Sequence, residues 1–364
     1  MVAEGRCALL NETFCCQTSL QGPEEKFLFI YFFPVLLAFS LIGNGMNIVL
    51  YHHPFLNSSS TVRLLLFRAV ANLLFSISLI PNFIYSLKNA QRQAHMPYTV
   101  HETDGVEIFY WDTLKFVMFA SNVLNTISVW LTVCVTCQLL ALIVWPMVAK
   151  NSLTLEKARR IVAIVIGLSI VLHILLLTHR DVRKSICAAD DTIVVHYYLS
   201  LSEPITDQLF YYVQAIFVNI VPLVILIVCC MAMGWNAFKR NKSSTMNRNQ
   251  TGRMQCVLHL AAATTVCHLV FEFPSTAVQL LASVSSILGM QFFTLIAVTN
   301  FLTIFNASLP FVIYTICSKR YRYVQLSASF KTLDCFDCNK KCSNFPTNRS
   351  YNFCTLLQLF RTAV

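Results

Sequence analysis

WDTLKFVMFASNVLNTISVWLTVCVTCQLLALIVWP, residues 111–146, is the stretch whose reading decides the fold. Roughly 20 apolar residues already cross a bilayer, so a run of this length spans one with a strong tilt. It also carries Ser121, Asn122, Asn125, Thr126 and Ser128, small polar side chains that a lipid-facing helix does not favour. They recur at three- and four-residue steps, which places them along one helix face. That face must meet protein or water, and the helix is expected to stand as the central post of a bundle.

The composition agrees. The chain is 56% hydrophobic and only 12% charged, against about 25% charged in a typical soluble domain. A soluble enzyme is therefore excluded as the default, and an all-α integral membrane protein is expected. Seven apolar segments follow one another: Phe27 to Tyr51, Thr61 to Leu87, Trp111 to Val144, Arg160 to His179, Asp207 to Phe238, Met254 to Val284 and Gly289 to Cys317. Polar connections rich in Pro, Ser and Asn separate several of them. No internal repeat of the transporter kind is evident. Met1 to Gly22 has no uninterrupted apolar core, so the first span is expected to act as its own insertion signal.

Basic residues orient the bundle. Of the 27 Lys and Arg, Arg68 and Lys115 fall within spans. Arg6, Lys26, Lys88, Arg92, Arg180, Arg183 and Lys184 fall on the N-terminal side of the membrane, leaving eighteen on the opposite side. The positive-inside rule then puts the N-terminus outside and the C-terminus in the cytoplasm of a plasma-membrane protein. Acidic residues are biased the other way. Of seventeen, all but Glu156, Glu272, Asp334 and Asp337 lie outside or at the outer mouth. This outer face would attract a cationic ligand. Asn11 heads the sequon that this topology exposes to glycosylation.

The resulting organisation is an extracellular N-terminus over 1–26, a seven-transmembrane domain over 27–317, a short amphipathic membrane-surface helix over 318–330 and a cytoplasmic tail over 331–364. The fifteen cysteines distribute accordingly. Cys187, Cys7, Cys15 and Cys16 face outside and are disulfide candidates with three pairings. In the tail, Cys335, Cys338 and Cys342 follow a membrane-surface helix and are candidates for acylation, with zinc ligation alongside Cys354 and plain cytosolic thiols as the alternatives.

No catalytic set, metal cluster or cofactor motif appears: there is no His-Glu-x-x-His, phosphate loop or hydrolase Ser elbow. Intramembrane ionisable residues are the better lead, because a charge at the bilayer centre costs at least ~2.5–3.5 kcal/mol. Glu272 sits mid-span beside Pro274, which kinks the helix. It can face a cationic ligand group, bind a proton, or take a structural hydrogen bond from Asn300 or Asn306. Lys115 is expected either to pair with Asp112 one turn away or to reach the rim and meet ligand. Arg68 is expected to snorkel or to pack between helices. Tyr211, Tyr212 and Gln214 are candidates for a pocket wall or for packing.

With these residues assembled, the chain resembles the rhodopsin-like G-protein-coupled receptors over roughly Phe27 to Tyr323. More narrowly it is similar to FMRFamide/myosuppressin-type peptide receptors and to the nematode serpentine chemoreceptors of class W. Gly43-Asn44 with Asn47-Ile48 matches the first-helix signature, and Ala69-Val70-Ala71-Asn72-Leu73-Leu74 the second, with Asn72 in place of the usual Asp. Ser128-Val129-Trp130-Leu131-Thr132-Val133 matches the third and Pro222 the fifth-helix proline. Phe271-Glu272-Phe273-Pro274 and the run Pro310 to Tyr314 match the sixth and seventh, the last departing from Asn-Pro-x-x-Tyr at its first two residues.

The resemblance implies a receptor for a short neuropeptide, amidated and FMRFamide-like, or for a chemosensory ligand. Ligand would contact Ser121, Asn122, Asn125, Tyr211, Gln214, Glu272, Gln279 and Asn300. Rearrangement about Pro222 and Pro274 would pass the signal to a heterotrimeric G protein and to arrestin. Three departures bear on this. Gln138-Leu139-Leu140 stands where the family carries Asp/Glu-Arg-Tyr. No Cys lies between Asn89 and Leu131, so Cys187 lacks its usual third-helix partner. Asn72 removes the acid that commonly helps bind sodium. A non-signalling ligand sink or scaffold is therefore the alternative, favoured weakly by Thr362-Ala363-Val364, which resembles a PDZ-domain ligand. A transporter or channel is disfavoured by the odd span count, and nothing points to nucleic acid.

Overall fold

The computed structural model describes residues 27–52, 59–95, 105–152, 154–178, 180–189, 192–201, 209–210, 212–242, 263–268, 270–278 and 289–317. The chain divides into two units, Met1–Lys319 and Arg320–Val364, and all described residues lie in the first. The membrane-surface helix and the tail cysteines expected beyond residue 317 fall outside the described residues, as do Asn11, Cys7, Cys15 and Cys16.

Helices dominate. A π-helical turn, Leu28–Phe32, leads into α1 (Phe33–His52), followed by α2 (Ser60–Ser78) and α3 (Ile80–His95). The long α4 spans Gly105–Val144, and α5 (Pro146–Ser152), α6 (Leu155–His173) and α7 (Leu175–Thr178) follow. A second π turn, Ala215–Ile220, opens α8 (Val221–Lys242). Residues 263–268 and 270–278 are helical and form α9, and α10 covers Gly289–Cys317. Five helical stretches are long and apolar enough to cross a membrane: Leu28–His52, Ser60–Lys88, Gly105–Val144, Leu155–Thr178 and Tyr212–Asn236.

Proline and capping chemistry set several boundaries. Both π turns end two residues before a proline, Pro34 and Pro222, and each closes with a wide bond: Phe33 N–H to the Leu28 carbonyl, Val221 N–H to that of Ile216. A proline lacks the donor for an ordinary helical bond and its ring crowds the carbonyl four residues back, so the preceding turn loosens. Pro81 separates α3 from α2 in the same way, and α4 stops just before Trp145-Pro146, where Pro146 is the first residue of α5. Thr154 caps α6, its hydroxyl accepting from Lys157 N–H, so that helix begins five residues earlier than apolarity alone suggests.

The bundle buries many polar residues beside its apolar core and exposes apolar ones. On α1, Val35, Ile42 and Val49 are exposed while Ser40, Asn44 and Asn47 are buried. On α6, Val171 is 70% exposed while His173, two residues on, is fully buried. Such an inversion is stable where the surrounding solvent is hydrocarbon and polar groups must find partners within the protein. The central post is where it was expected: α4 packs against α2, α6 and α8. Helix α1 packs on α2 and α10, around an aromatic cluster in which Phe33 stacks on Phe83 at 5.1 Å and meets Phe301 edge-on at 5.5 Å.

One element was not foreseen. The all-α reading left the fourth connection as loop, but β1 (Arg180–Ala189) pairs antiparallel with β2 (Thr192–Leu201), from Arg180 opposite Leu201 to Ala189 opposite Thr192. Thr192-Ile-Val-Val-His-Tyr-Tyr is rich in β-branched and aromatic residues, a strand composition that the flanking acidic residues obscured. The hairpin also changes the expected Lys115–Asp112 pair: Lys115 Nζ lies 3.8 Å from Asp181 Oδ1 in β1.

The signature residues of α1, α2 and α10 meet at one point. Asn44 Nδ2 donates to the Ala307 carbonyl at 3.1 Å and to the Ser40 carbonyl at 2.9 Å. Asn72 Nδ2 donates to the same Ala307 carbonyl at 3.2 Å and lies 3.5 Å from Asn44 Oδ1. Ser40 and Ser76 join their hydroxyls at 2.7 Å beside this knot. Gly43 permits the close approach, since a Cβ there would sit 3.2 Å from the Phe311 Cβ. Two outcomes are expected in thermal unfolding of the purified protein. Gly43→Val overpacks this contact and costs about 1–3 kcal/mol. Asn72→Asp replaces a donor by an acceptor opposite Ala307 and Asn44 and also costs about 1–3 kcal/mol; a melting temperature equal to wild type would contradict the donor role.

Candidate functional site

The polar stripe of α4 is anchored before it reaches anything else. Ser121 and Asn122 both donate to the Met118 carbonyl, at 3.1 and 2.7 Å. Such back-bonding satisfies the side-chain proton while leaving oxygen lone pairs free to accept. Asn122 Oδ1 uses that freedom, accepting from Gln214 Nε2 at 3.0 Å. Two of the predicted ligand contacts, on the third and fifth spans, are thus brought into direct contact. Asn125 is half-buried one turn further along, and Thr126 is buried. Thr126 Oγ1 lies 3.5 Å from His173 Nε2, and His173 Nδ1 donates to the Ser169 carbonyl at 2.9 Å. A carbonyl only accepts, so Nδ1 carries the proton and Nε2 is the acceptor toward Thr126.

Glu272 is 3% exposed, and its partner among the two anticipated asparagines is Asn306. Asn306 Nδ2 donates to Glu272 Oε1 at 2.9 Å and to His268 Nδ1 at 3.2 Å. One amide group therefore ties two ionisable side chains of α9, spaced four residues apart on one face, to α10. His268 is 2% exposed. Because the amide nitrogen only donates, His268 Nδ1 is bare and its proton sits on Nε2. Asn300 is exposed, Tyr212 is exposed, and Tyr211 and Gln279 lie outside the described residues. The structure thus gathers Asn122 with Gln214, and separately Glu272 with Asn306 and His268.

His173 and His268 were missed in the sequence. The signal for His268 was available: it precedes Glu272 by one helical turn inside an apolar span, so the two had to share a face. His173 offered less, a lone histidine whose partners Thr126 and Phe210 come from distant segments.

The switch residues are spread along the bundle. Pro222 and Pro310 are buried, Pro274 and Trp130 half-buried. Gln138 is buried and accepts from Thr61 Oγ1 at 3.1 Å, a neutral link from α4 to α2. Leu139 is buried and Leu140 half-buried. Tyr314 is buried, meets Tyr51 edge-on at 6.2 Å and hydrogen-bonds Arg68. Arg68 does not snorkel: it is 5% exposed, within electrostatic reach of His268, and lines cavities between the helices. Eight residues separate it from the start of α2, a rise of about 12 Å, which a side chain cannot cover back to the interface.

Replacing Asn306 by Leu orphans both Glu272 Oε1 and His268 Nδ1. Each loss costs about 1–3 kcal/mol, so Asn306→Leu is expected to lower the melting temperature well below that of Asn300→Leu. Equal melting of the two variants would show that the amide bridge contributes nothing.

Curated proteins provide no match to the chain. Residues 31–330, most of its length, match the family model for the serpentine type 7TM GPCR chemoreceptor Srw. The resemblance to the class W serpentine chemoreceptors is borne out over nearly the same span, and the chain belongs to that family.

Proposed function

We propose that this multi-pass membrane protein is a cell-surface receptor for a short cationic peptide, amidated and FMRFamide-like, with its N-terminus outside. The observation that carries the reading is the Asn122–Gln214 hydrogen bond, which turns polar groups of the third and fifth spans toward each other inside the bundle. The buried Glu272 adds a carboxylate on the sixth span, and the acidic outer loops add long-range attraction for a cation. Ligand enters from the outer face and competes for the Asn122–Gln214 pair and for Glu272. Serving a ligand there alters the packing of α8, α9 and α10 around Pro222, Pro274 and Pro310, and a heterotrimeric G protein reads the change at the basic inner loops. An environmental chemosensory ligand of the same charge fits this chemistry equally.

A second reading is supported by the inner end of α4. Where the family's Asp/Glu-Arg-Tyr would stand, Gln138 makes a neutral bond to Thr61 and Leu139 is buried. A ligand sink or scaffold that engages arrestin or a PDZ protein, and not a G protein, needs no charged triplet.

The test expresses the full chain at the surface of cells, challenges it with a panel of amidated peptides and reads G-protein activation and arrestin recruitment separately. G-protein activation is expected; arrestin recruitment alone selects the second reading. Against an active cationic peptide, Glu272→Gln removes the counter-charge. Truncating one side of a buried charge pair costs about 2–5 kcal/mol, so potency is expected to fall at least tenfold. Unchanged potency rejects Glu272 as the contact.

A further inference from the structure

Arg68 is a buried cation in search of a counter-charge. Its Nε–H has no acceptor among the described residues. Its guanidinium meets Tyr314, but a phenol is neutral. Of the four acidic residues not assigned to the outer face, Glu156 is exposed and pairs with Arg160, and Glu272 is held by Asn306. Asp334 and Asp337 lie outside the described residues. Among the described residues, then, no carboxylate pairs with Arg68.

Arg68 lines a cavity of about 40 Å³ whose other walls include Thr61, Thr132, Thr136, Thr264 and Tyr314. A water-sized occupant needs roughly 10–15 Å³, so this space admits a monatomic ion with a water or two and excludes bulkier polyatomic anions. Its lining is hydroxyl-rich and carries no acid. The Thr132 and Thr136 protons point back to the Ser128 and Thr132 carbonyls, at 2.8 and 2.9 Å. Thr61 donates to Gln138. Arg68, whose Nε–H has no partner, is thus the cation of the wall, and a threonine that gives up its back-bond can join it, since such bonds are weak for a helix to lose.

We propose that this cavity is a buried anion site in which Arg68, with Thr136 turning its hydroxyl inward, holds a chloride-sized monovalent anion. The anion is the counter-charge that the described chain does not supply. It sits among side chains of α2, α4, α9 and α10, so its occupancy bears on how tightly these four are held.

The experiment uses the full chain purified in lipid nanodiscs. Thermal unfolding is followed in sodium chloride and in sodium gluconate at equal ionic strength. The expected result is a saturable rise in melting temperature with chloride, reproduced by bromide, absent in gluconate and lost in Arg68→Met. Equal melting in both salts, or an undiminished chloride response in Arg68→Met, overturns the site and leaves water as the occupant. Should Arg68→Met fail to fold, two further measurements decide. Thr136→Val is expected to weaken the apparent chloride affinity several-fold, and an unchanged affinity removes Thr136 from the site. Wild-type protein is expected to broaden the chloride-35 NMR line in a manner reversed by bromide; absence of broadening overturns the proposal whatever the variants do.

Discussion

The carbonyl of Ala307 is an acceptor at which three helices of this molecule meet. It accepts from Asn44 of α1 and Asn72 of α2 while belonging to α10, so three helices share one acceptor. Pro310 follows that carbonyl in α10. Without an N–H of its own, it leaves the carbonyl four residues back, that of Asn306, without its helical donor, in the same turn as Ala307. In hydrocarbon there is no water to take either amide, so separating any of the three helices leaves a buried donor unpaired. The small contact surfaces at Gly43, Ser40 and Ser76 follow from the same requirement, since the donors reach only when the backbones come close.

The rest of the interior repeats this logic with different partners. Asn122 and Gln214 join α4 to the fifth span, Thr126 and His173 join α4 to α6, and Thr61 and Gln138 join α2 to α4. Asn306 joins α10 to both ionisable residues of α9. Each link matches a donor to an acceptor across two helices. These bonds are individually modest, because in a membrane the separated helices also find partners. Their value lies in specificity: each fixes which faces of two apolar cylinders meet, something that dispersion between Leu, Ile and Val side chains does poorly.

How far the sequence revealed this depended on whether the deciding feature was local. Span positions, the central role of α4 and the proline-loosened turns rest on length, apolarity and a missing N–H, all of which are visible in one segment. Glu272 stood out because a lone carboxylate in an apolar run is costly, and Asn306 was one of two partners within reach. His268 was overlooked although its spacing from Glu272 put both on one face. The hairpin over residues 180–201 was hidden because acidic neighbours made a β-branched run look like loop. The Lys115–Asp181 pair was beyond reach of any local rule, since a long-range fold brings the hairpin over the end of α4. Arg68 had two readings, snorkelling and packing between helices; its burial selects the second, since a rise of about 12 Å exceeds the reach of its side chain.

Arg68 also changes what the missing triplet means. In α4 the place of the family's arginine is taken by Leu139, and its neighbour Gln138 makes only a neutral bond. Yet Leu139 and Arg68 wall the same cavity, so a guanidinium is present at that level of the bundle, supplied by α2 instead of α4. The difference is mechanical. A cation at the end of α4 would sit on the post against which α2, α6 and α8 pack. On α2 it rests against Tyr314 of α10 and across a small hydroxyl-lined space from Thr264 of α9. Any displacement of α9 or α10 therefore reshapes the walls around the cation directly, and the charge is sensitive to the two helices that carry Glu272 and Asn306. At the level of α4 where that arginine is absent, the bundle still holds a buried charge, on α2, where α9 and α10 bear on it.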